Sequence, residues 1–194
     1  MTETEIVLKT ETEPGIEKES EGEASVLPRK QLFGWIGAII ILLDQLTKWQ
    51  IEASIPLNTS VSPIPSLYPY FQLSHVANTG MAFGFLPQAK WIITVLGIFV
   101  VIWLAYFNHK SPATSIKLRI ALGLLFGGAL GNWIDRIRIG YVTDFLNFNL
   151  RPLLQPILDI PILDWYVFNV ADMALSSGIA MLIYIMLREP EILE

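Results

Sequence analysis

Four apolar stretches, each near the roughly 20 residues a helix needs to cross about 30 Å of hydrocarbon, constrain this chain more than any other feature. They run over about Leu32–Ile51, Trp91–Phe107, Ile116–Ile134 and Tyr166–Leu187. With 53% hydrophobic and 16% charged residues, the chain is too apolar for an ordinary soluble domain and far too apolar for disorder. The expected fold is an all-α membrane protein with four transmembrane helices. Between the first two stretches lie Pro56, Pro63, Pro65 and Pro69 and the β-prone run Tyr68–Leu73, with Pro87 just ahead of the second stretch. That composition predicts short strands and turns, a small extramembrane β-containing cradle, and not a further span. About eight residues join the second and third stretches, which forces an antiparallel hairpin. The Asp135–Trp165 connection, with Pro152, Pro156 and Pro161, reads as an interfacial loop.

The net charge of −5 is unevenly spread: residues 1–24 carry eight Glu against Lys9 and Lys18, a local −6 that leaves the remainder at +1. Residues 1–30 therefore read as a disordered acidic tail, 31–189 as the membrane domain and 190–194 as a short C-terminal tail. An acidic start lacks the basic region of a cleaved signal peptide. No basic nucleic-acid surface remains. Lys18, Arg29, Lys30, Lys110, Lys117, Arg119 and Arg188 fall on the side holding both termini, against Lys48, Lys90, Arg136, Arg138 and Arg151 on the other. That bias predicts cytoplasmic termini.

Polar residues inside a span are expensive, and each needs a partner, a wet cavity or a function. Here they are Asp44 and Lys48 late in span one, Asn132, Asp135 and Arg136 at the end of span three, and Asn169 and Asp172 early in span four, with Asn78 just ahead of span two. Four alternating crossings place all of them on one side of the bilayer, near the outer leaflet. Bland roles compete: Asp44 and Lys48 at i,i+4 can neutralise each other, Asp135 can belong to an interfacial cluster with Arg136 and Arg138, and Gly123, Gly127 and Gly131 have small-residue packing spacing. Gly131, beside Asn132, could also leave room for a ligand. Asp144, in a turn after span three, and Asp172, about 9 Å into span four, resist such accounts better. Asp172 has no Lys or Arg within one helical turn of its own helix.

Two carboxylates held close cannot both ionise cheaply, so one keeps a proton; the ionised partner can activate water while the protonated one polarises a carbonyl. This is aspartic-protease chemistry and needs no metal or other cofactor. Zero cysteines exclude a thiol nucleophile, and the only histidines, His75 and His109, fall on opposite sides of the expected membrane, a poor start for a zinc site. Ser176-Ser177-Gly178 reads as helix packing, with no His or Lys at its level. A small transporter or proton relay built on Asp44, Lys48 and Asp172 is the alternative, and a scaffold built on the span-three glycines a third reading.

Five ordered blocks resemble the lipoprotein signal peptidase (signal peptidase II) family: Asp44–Lys48, Asn78-Thr-Gly80-Met-Ala82-Phe83, Gly127–Arg136, Gly140–Phe145 and Phe168–Asp172. The resemblance covers about residues 32–188. It implies a membrane aspartic protease of bacterial prolipoproteins that carry a diacylglyceryl group on the lipobox cysteine, cut just before that cysteine at the outer face of the cytoplasmic membrane. It further implies that Asp144 and Asp172 form the catalytic dyad, that Asn78, Gly80, Asn132, Arg136 and Asn169 line or support the cleft, and that Asp44 and Lys48 steady it. A four-span chain can enclose such a site alone, so a monomer surrounded by membrane lipids is expected. Departures from the family pattern are the long acidic tail, Thr143 in place of a valine, Met173 where a small residue is common, and the long insert 146–167 with the rival carboxylates Asp159 and Asp164.

Overall fold

A computed structural model describes residues 26–80, 89–111, 115–149, 151–154 and 166–192. The expected acidic tail, except for its last five residues, and Asp159 and Asp164 lie outside the described residues. In chain order the elements are α1 (Val26–Ser54), β1 (Ser60–Val61), a 3-10 turn at Pro65–Leu67, β2 (Phe71–Asn78), α2 (Ala89–Lys110), α3 (Ile116–Arg138), β3 (Val142–Phe148), the single turn α4 (Arg151–Leu154), β4 (Tyr166–Phe168), α5 (Val170–Arg188) and a closing 3-10 turn at Pro190–Ile192. The first helix thus begins five residues ahead of the expected membrane domain.

Among the described residues, three helical segments are long and apolar enough to cross a membrane: Lys30–Ser54, Trp91–Lys110 and Val170–Arg188. They turn Trp35, Leu42, Ile92, Leu96 and Met186 outward, each more than half exposed, as lipid-facing surfaces do. The third expected span, α3, is less apolar for a physical reason. It packs against α1, α2 and α5 and buries eleven residues, so glycines and polar groups replace the apolar side chains a lipid-facing helix would carry. A Cβ on Gly123 would meet Ile36 Cβ at 2.9 Å, one on Gly127 would meet Ile40 Cβ at 2.7 Å, and one on Gly128 would meet the Ala171 carbonyl at 2.5 Å. The glycine ridge therefore packs α3 against α1 and α5.

The four strands form one antiparallel sheet in the order β1-β2-β3-β4. β3 corrects the expected turn around Asp144, which sits in a strand opposite Val76. The fourth apolar stretch is also divided. Tyr166-Val-Phe168 is a β-strand, and the helix starts only at Val170, capped by Asn169. Aromatic and β-branched residues suit the strand, and the Asn169 side chain accepts the Asp172 N–H, closing a reciprocal cap. Asp172 therefore lies in the first turn of α5 and not one and a half turns inside a span.

Two apolar clusters bracket the polar residues along α1. Phe33, Leu104, Leu118, Leu122, Leu125 and Ile185 pack at one end, and Ile51, Ile55 and Phe145 fasten α1 to the sheet at the other. Lys30 Nζ donates to the His109 carbonyl at 3.3 Å, so the start of α1 meets the end of α2. His75 lies at the sheet end, its Nδ1 2.8 Å from the Ile55 carbonyl, far along the fold from His109.

Candidate active site

The C-terminal halves of α1 and α3, the first turn of α5 and the facing ends of β2 and β3 meet between those clusters. Lys48 Nζ, fully buried, lies 2.8 Å from Asp44 Oδ2 and 2.8 Å from Asp135 Oδ2. Asp44 is thus only half of the Lys48 environment, and Asp135 is corrected from a surface cluster to a fully buried partner of an ammonium on another helix. Of the expected arginine pairing there remain a long contact of 3.7 Å to Arg138 and the electrostatic influence of Arg136. Gly131 provides the space for Asp44: a Cβ there would stand 2.6 Å from Asp44 Oδ2, so its room is filled by a carboxylate and not by a ligand. Asp44 Oδ1 also accepts the Ala171 N–H at 2.9 Å, tying α1 to the start of α5.

Asn132 carries this buried charge cluster to the two expected catalytic aspartates. Its Oδ1 accepts from Lys48 Nζ at 2.9 Å, which fixes the amide so that Nδ2 donates to Asp172 Oδ1 at 2.9 Å. Because an ammonium can only donate, the reverse amide orientation would set two donors against each other. Asn169 connects the pair itself: its Nδ2 donates to Asp144 Oδ1 at 2.6 Å, and its backbone N–H donates to Asp172 Oδ2 at 3.2 Å. The other Asp144 oxygen accepts from Asn78 Nδ2 at 2.8 Å.

Register explains that last contact. Val76 faces Asp144 across the ladder, and Asn78, two residues on, projects from the same face. Gly80 holds Asn78 by donating its N–H to Oδ1 at 2.8 Å, from a backbone with φ +82° that favours glycine. Arg136 donates from Nη1 to the Asn132 carbonyl at 3.0 Å and stands within electrostatic reach of Asp172, Asp135 and Asp144. All nine expected site residues therefore converge, while Ala82 and Phe83 of the second block fall outside the described residues.

Asp144 is 3% exposed, and burial, reinforced by the neighbouring Asp172 charge, raises its carboxyl from 3.8 to about 6, against the opposing pull of the Asn78 and Asn169 donors and Lys48. Asp172 is more open and lines a cavity of about 300 Å³ with Tyr166, Phe168, Met173, Ser176 and Ser177. The arrangement can hold one proton on a buried carboxyl beside a second carboxylate that faces a cavity. Among the described residues, no group of three or more His, Asp or Glu side chains is disposed to hold a metal ion.

Three participants escape sequence reasoning. Gln45 Nε2 donates to Asp44, to Asp135 Oδ1 and to the Gly131 carbonyl, tying α1 to α3 beside the ammonium. Thr143 donates its N–H to Asp135 Oδ2 at 3.2 Å and its hydroxyl to Glu52 Oε1 at 2.7 Å, and Glu52 in turn accepts both Arg138 nitrogens. The Asp144 strand is thereby anchored one residue before the carboxyl. Adjacency to Asp44 and Asp144 was the available signal for Gln45 and Thr143; nothing local pointed to Glu52.

The comparisons with known proteins converge on one family. The model of signal peptidase (SPase) II matches residues 36–188. The chain is 35% identical to the lipoprotein signal peptidase of Symbiobacterium thermophilum over 76% of this chain and 88% of that one. It is 37% identical to the Coxiella burnetii lipoprotein signal peptidase over 80% and 90%, and 38% identical to that of Tolumonas auensis over 77% and 85%. A bacterial membrane enzyme solved by the in meso method at 1.9 Å resolution is similar at a TM-score of 0.67, with 30% identity, over 81% of this chain and 93% of that one. With a family match over most of its length and relatives of this similarity, the chain belongs to the signal peptidase II family.

Proposed function

We propose that this protein is a membrane aspartic endopeptidase that removes signal peptides from diacylglyceryl-modified bacterial prolipoproteins, cutting immediately before the modified cysteine. The observation that carries the reading is the Asp144–Asn169–Asp172 bridge, with a buried carboxyl raised to about 6 beside a carboxylate open to a cavity. Asp144 is the member that keeps the proton and donates it toward the scissile carbonyl. Asp172 takes a proton from water as the water oxygen bonds to the carbonyl carbon. Collapse of the tetrahedral adduct breaks the C–N bond: the proton held by Asp172 passes to the leaving amine of the modified cysteine, and a hydroxyl of the adduct returns a proton to Asp144.

Asn78, Asn132 and Asn169 hold the two carboxyls in place, with Gly80 and the Asp44–Lys48–Asp135 cluster fixing those amides. Arg136 supplies positive potential over the dyad. In this reading α3 is the fourth crossing, sheathed by the other three. Both termini lie in the cytoplasm and the site opens at the outer face of the inner membrane, where a lipid-modified substrate arrives laterally and water from above. Residues 1–30, 31–189 and 190–194 serve as tail, monomeric catalytic domain and C-terminal tail, with no metal or cofactor. A transporter or proton-relay role has no support from the family match.

The test is incubation of purified protein in detergent with a diacylglyceryl-modified lipobox peptide, read by product mass. A single cut directly before the modified cysteine is expected. No cut by folded protein, or a cut elsewhere, would overturn the reading.

A further inference from the structure

Ser176-Ser177-Gly178 divides into two roles. Gly178 packs: a Cβ there would meet Leu125 Cγ at 2.7 Å and the Ala121 carbonyl at 3.0 Å. Ser176 and Ser177 instead face outward and line the cavity that Asp172 shares. Among the described residues neither hydroxyl is engaged in a hydrogen bond, although both lie on an apolar helix of a membrane protein, where an unmatched hydroxyl is costly. Asp172, Met173, Ser176 and Ser177 follow the i, i+1, i+4, i+5 spacing of one helix face, which puts the hydroxyls about 6–8 Å along the axis from the aspartate. Tyr166 and Phe168, ring centroids 5.7 Å apart, form an aromatic wall, and Met173, 51% exposed, an adaptable one.

We infer that this cavity is the subsite for the ester-linked glyceryl group of the substrate, with Ser176 and Ser177 donating to its ester carbonyl oxygens. The inference rests on the peptidase reading and specifies how the lipid is recognised. If the bond beside the modified cysteine is cut at Asp172, the glyceryl esters lie only a few bonds away. They are acceptors without donors, the complement of two free hydroxyls. An aliphatic side chain of the signal peptide would match the aromatic wall and Met173 but would leave both hydroxyls unanswered. The acyl chains beyond the esters need no enclosure, because Met173, Ser176 and Ser177 lie on the exposed face of an apolar helix.

The test compares two lipobox peptides, one bearing diacyl ester-linked glyceryl and one the dialkyl ether analogue, which keeps the chains and lacks the carbonyls. Wild-type protein in detergent should favour the ester by about 5- to 30-fold in kcat/KM, the range of one to two net hydrogen bonds at about 1 kcal/mol each. The Ser176→Ala/Ser177→Ala double variant should bring that ratio to about 1, and Ser176→Thr/Ser177→Thr, which keeps the hydroxyls, should retain it. An ester-to-ether ratio near 1 in wild type, or a ratio unchanged in the alanine variant, overturns the inference and assigns the cavity to an apolar segment. Wild type that cuts neither peptide removes the peptidase reading itself, and the inference with it.

Discussion

Replacing Lys48 with Met isolates the feature on which the site is built, because it keeps much of the side-chain volume and removes the charge. The ammonium stands 2.8 Å from each of two fully buried carboxylates and 2.9 Å from Asn132 Oδ1. Removing one partner of a buried ion pair costs about 3–5 kcal/mol, since the other charge stays uncompensated. Here two carboxylates are left, so the upper part of that range applies. At about 2–4 °C per kcal/mol for a chain of this size, the unfolding midpoint should fall on the order of 10 °C. The six tryptophans allow this to be followed by intrinsic fluorescence in detergent. Asp44→Asn/Lys48→Met should be more stable than Lys48→Met alone, by about 1–3 kcal/mol of coupling, although it carries one more change. Turnover should fall at least about 10-fold in Lys48→Met, because Asn132 loses the donor that orients it toward Asp172. A midpoint within about 3 °C of wild type, or a double variant destabilised by the sum of its parts, would refute the charge-cluster account.

Other perturbations test neighbouring parts. Gly131→Ala forces a methyl against Asp44 Oδ2 and should cost about 1–3 kcal/mol in thermal unfolding, whereas Gly34→Ala, with nothing within 4 Å, should be neutral. Asp144, raised from 3.8 to about 6, favours the folded state below 3.8 and loses that contribution as pH rises through about 6. At 1.36 kcal/mol per pKa unit, the stability of Asp144→Asn relative to wild type should therefore improve by about 2 kcal/mol between pH 4 and pH 8, and a flat difference would contradict the raised value. If the same group donates the catalytic proton, kcat/KM should decline on the alkaline side with an apparent pKa near 6, and activity climbing steadily to pH 9 would exclude Asp144 as the acid. Deleting residues 1–25 should leave kcat/KM within about 2-fold, because α1 starts at Val26 and the family match at residue 36; a loss above about 10-fold would assign the tail a role.

Hydropathy made the apolar helices legible, and the parity of the four expected crossings placed Asp44, Asn132, Asn169 and Asp172 at one end, where the structure also brings them together. What stayed hidden was hidden for particular reasons. Tyr166-Val-Phe168 is as apolar as the helix it precedes, so a hydropathy window runs through the break at Asn169, although the Asn169–Asp172 spacing is a capping signal. Val142–Phe148 is too short for periodicity to separate strand from turn, and only pairing with β2 and β4 decides it. Asp135 reads as a partner of the arginines beside it in sequence, because the stronger partner, Lys48, belongs to another helix. Gly131 looks like packing or ligand space until the Asp44 carboxylate is found in it.

The central claim is that Asp144 and Asp172 act together to cut the peptide bond. The most direct measurement is single-turnover cleavage of a diacylglyceryl-modified lipobox peptide by wild type, Asp144→Asn, Asp172→Asn and the double variant, each first checked for wild-type-like folding. The account predicts that each single variant loses at least about 100-fold in rate and that the double variant loses little more, as expected for two groups serving one step. Appreciable cleavage by either folded single variant would contradict it.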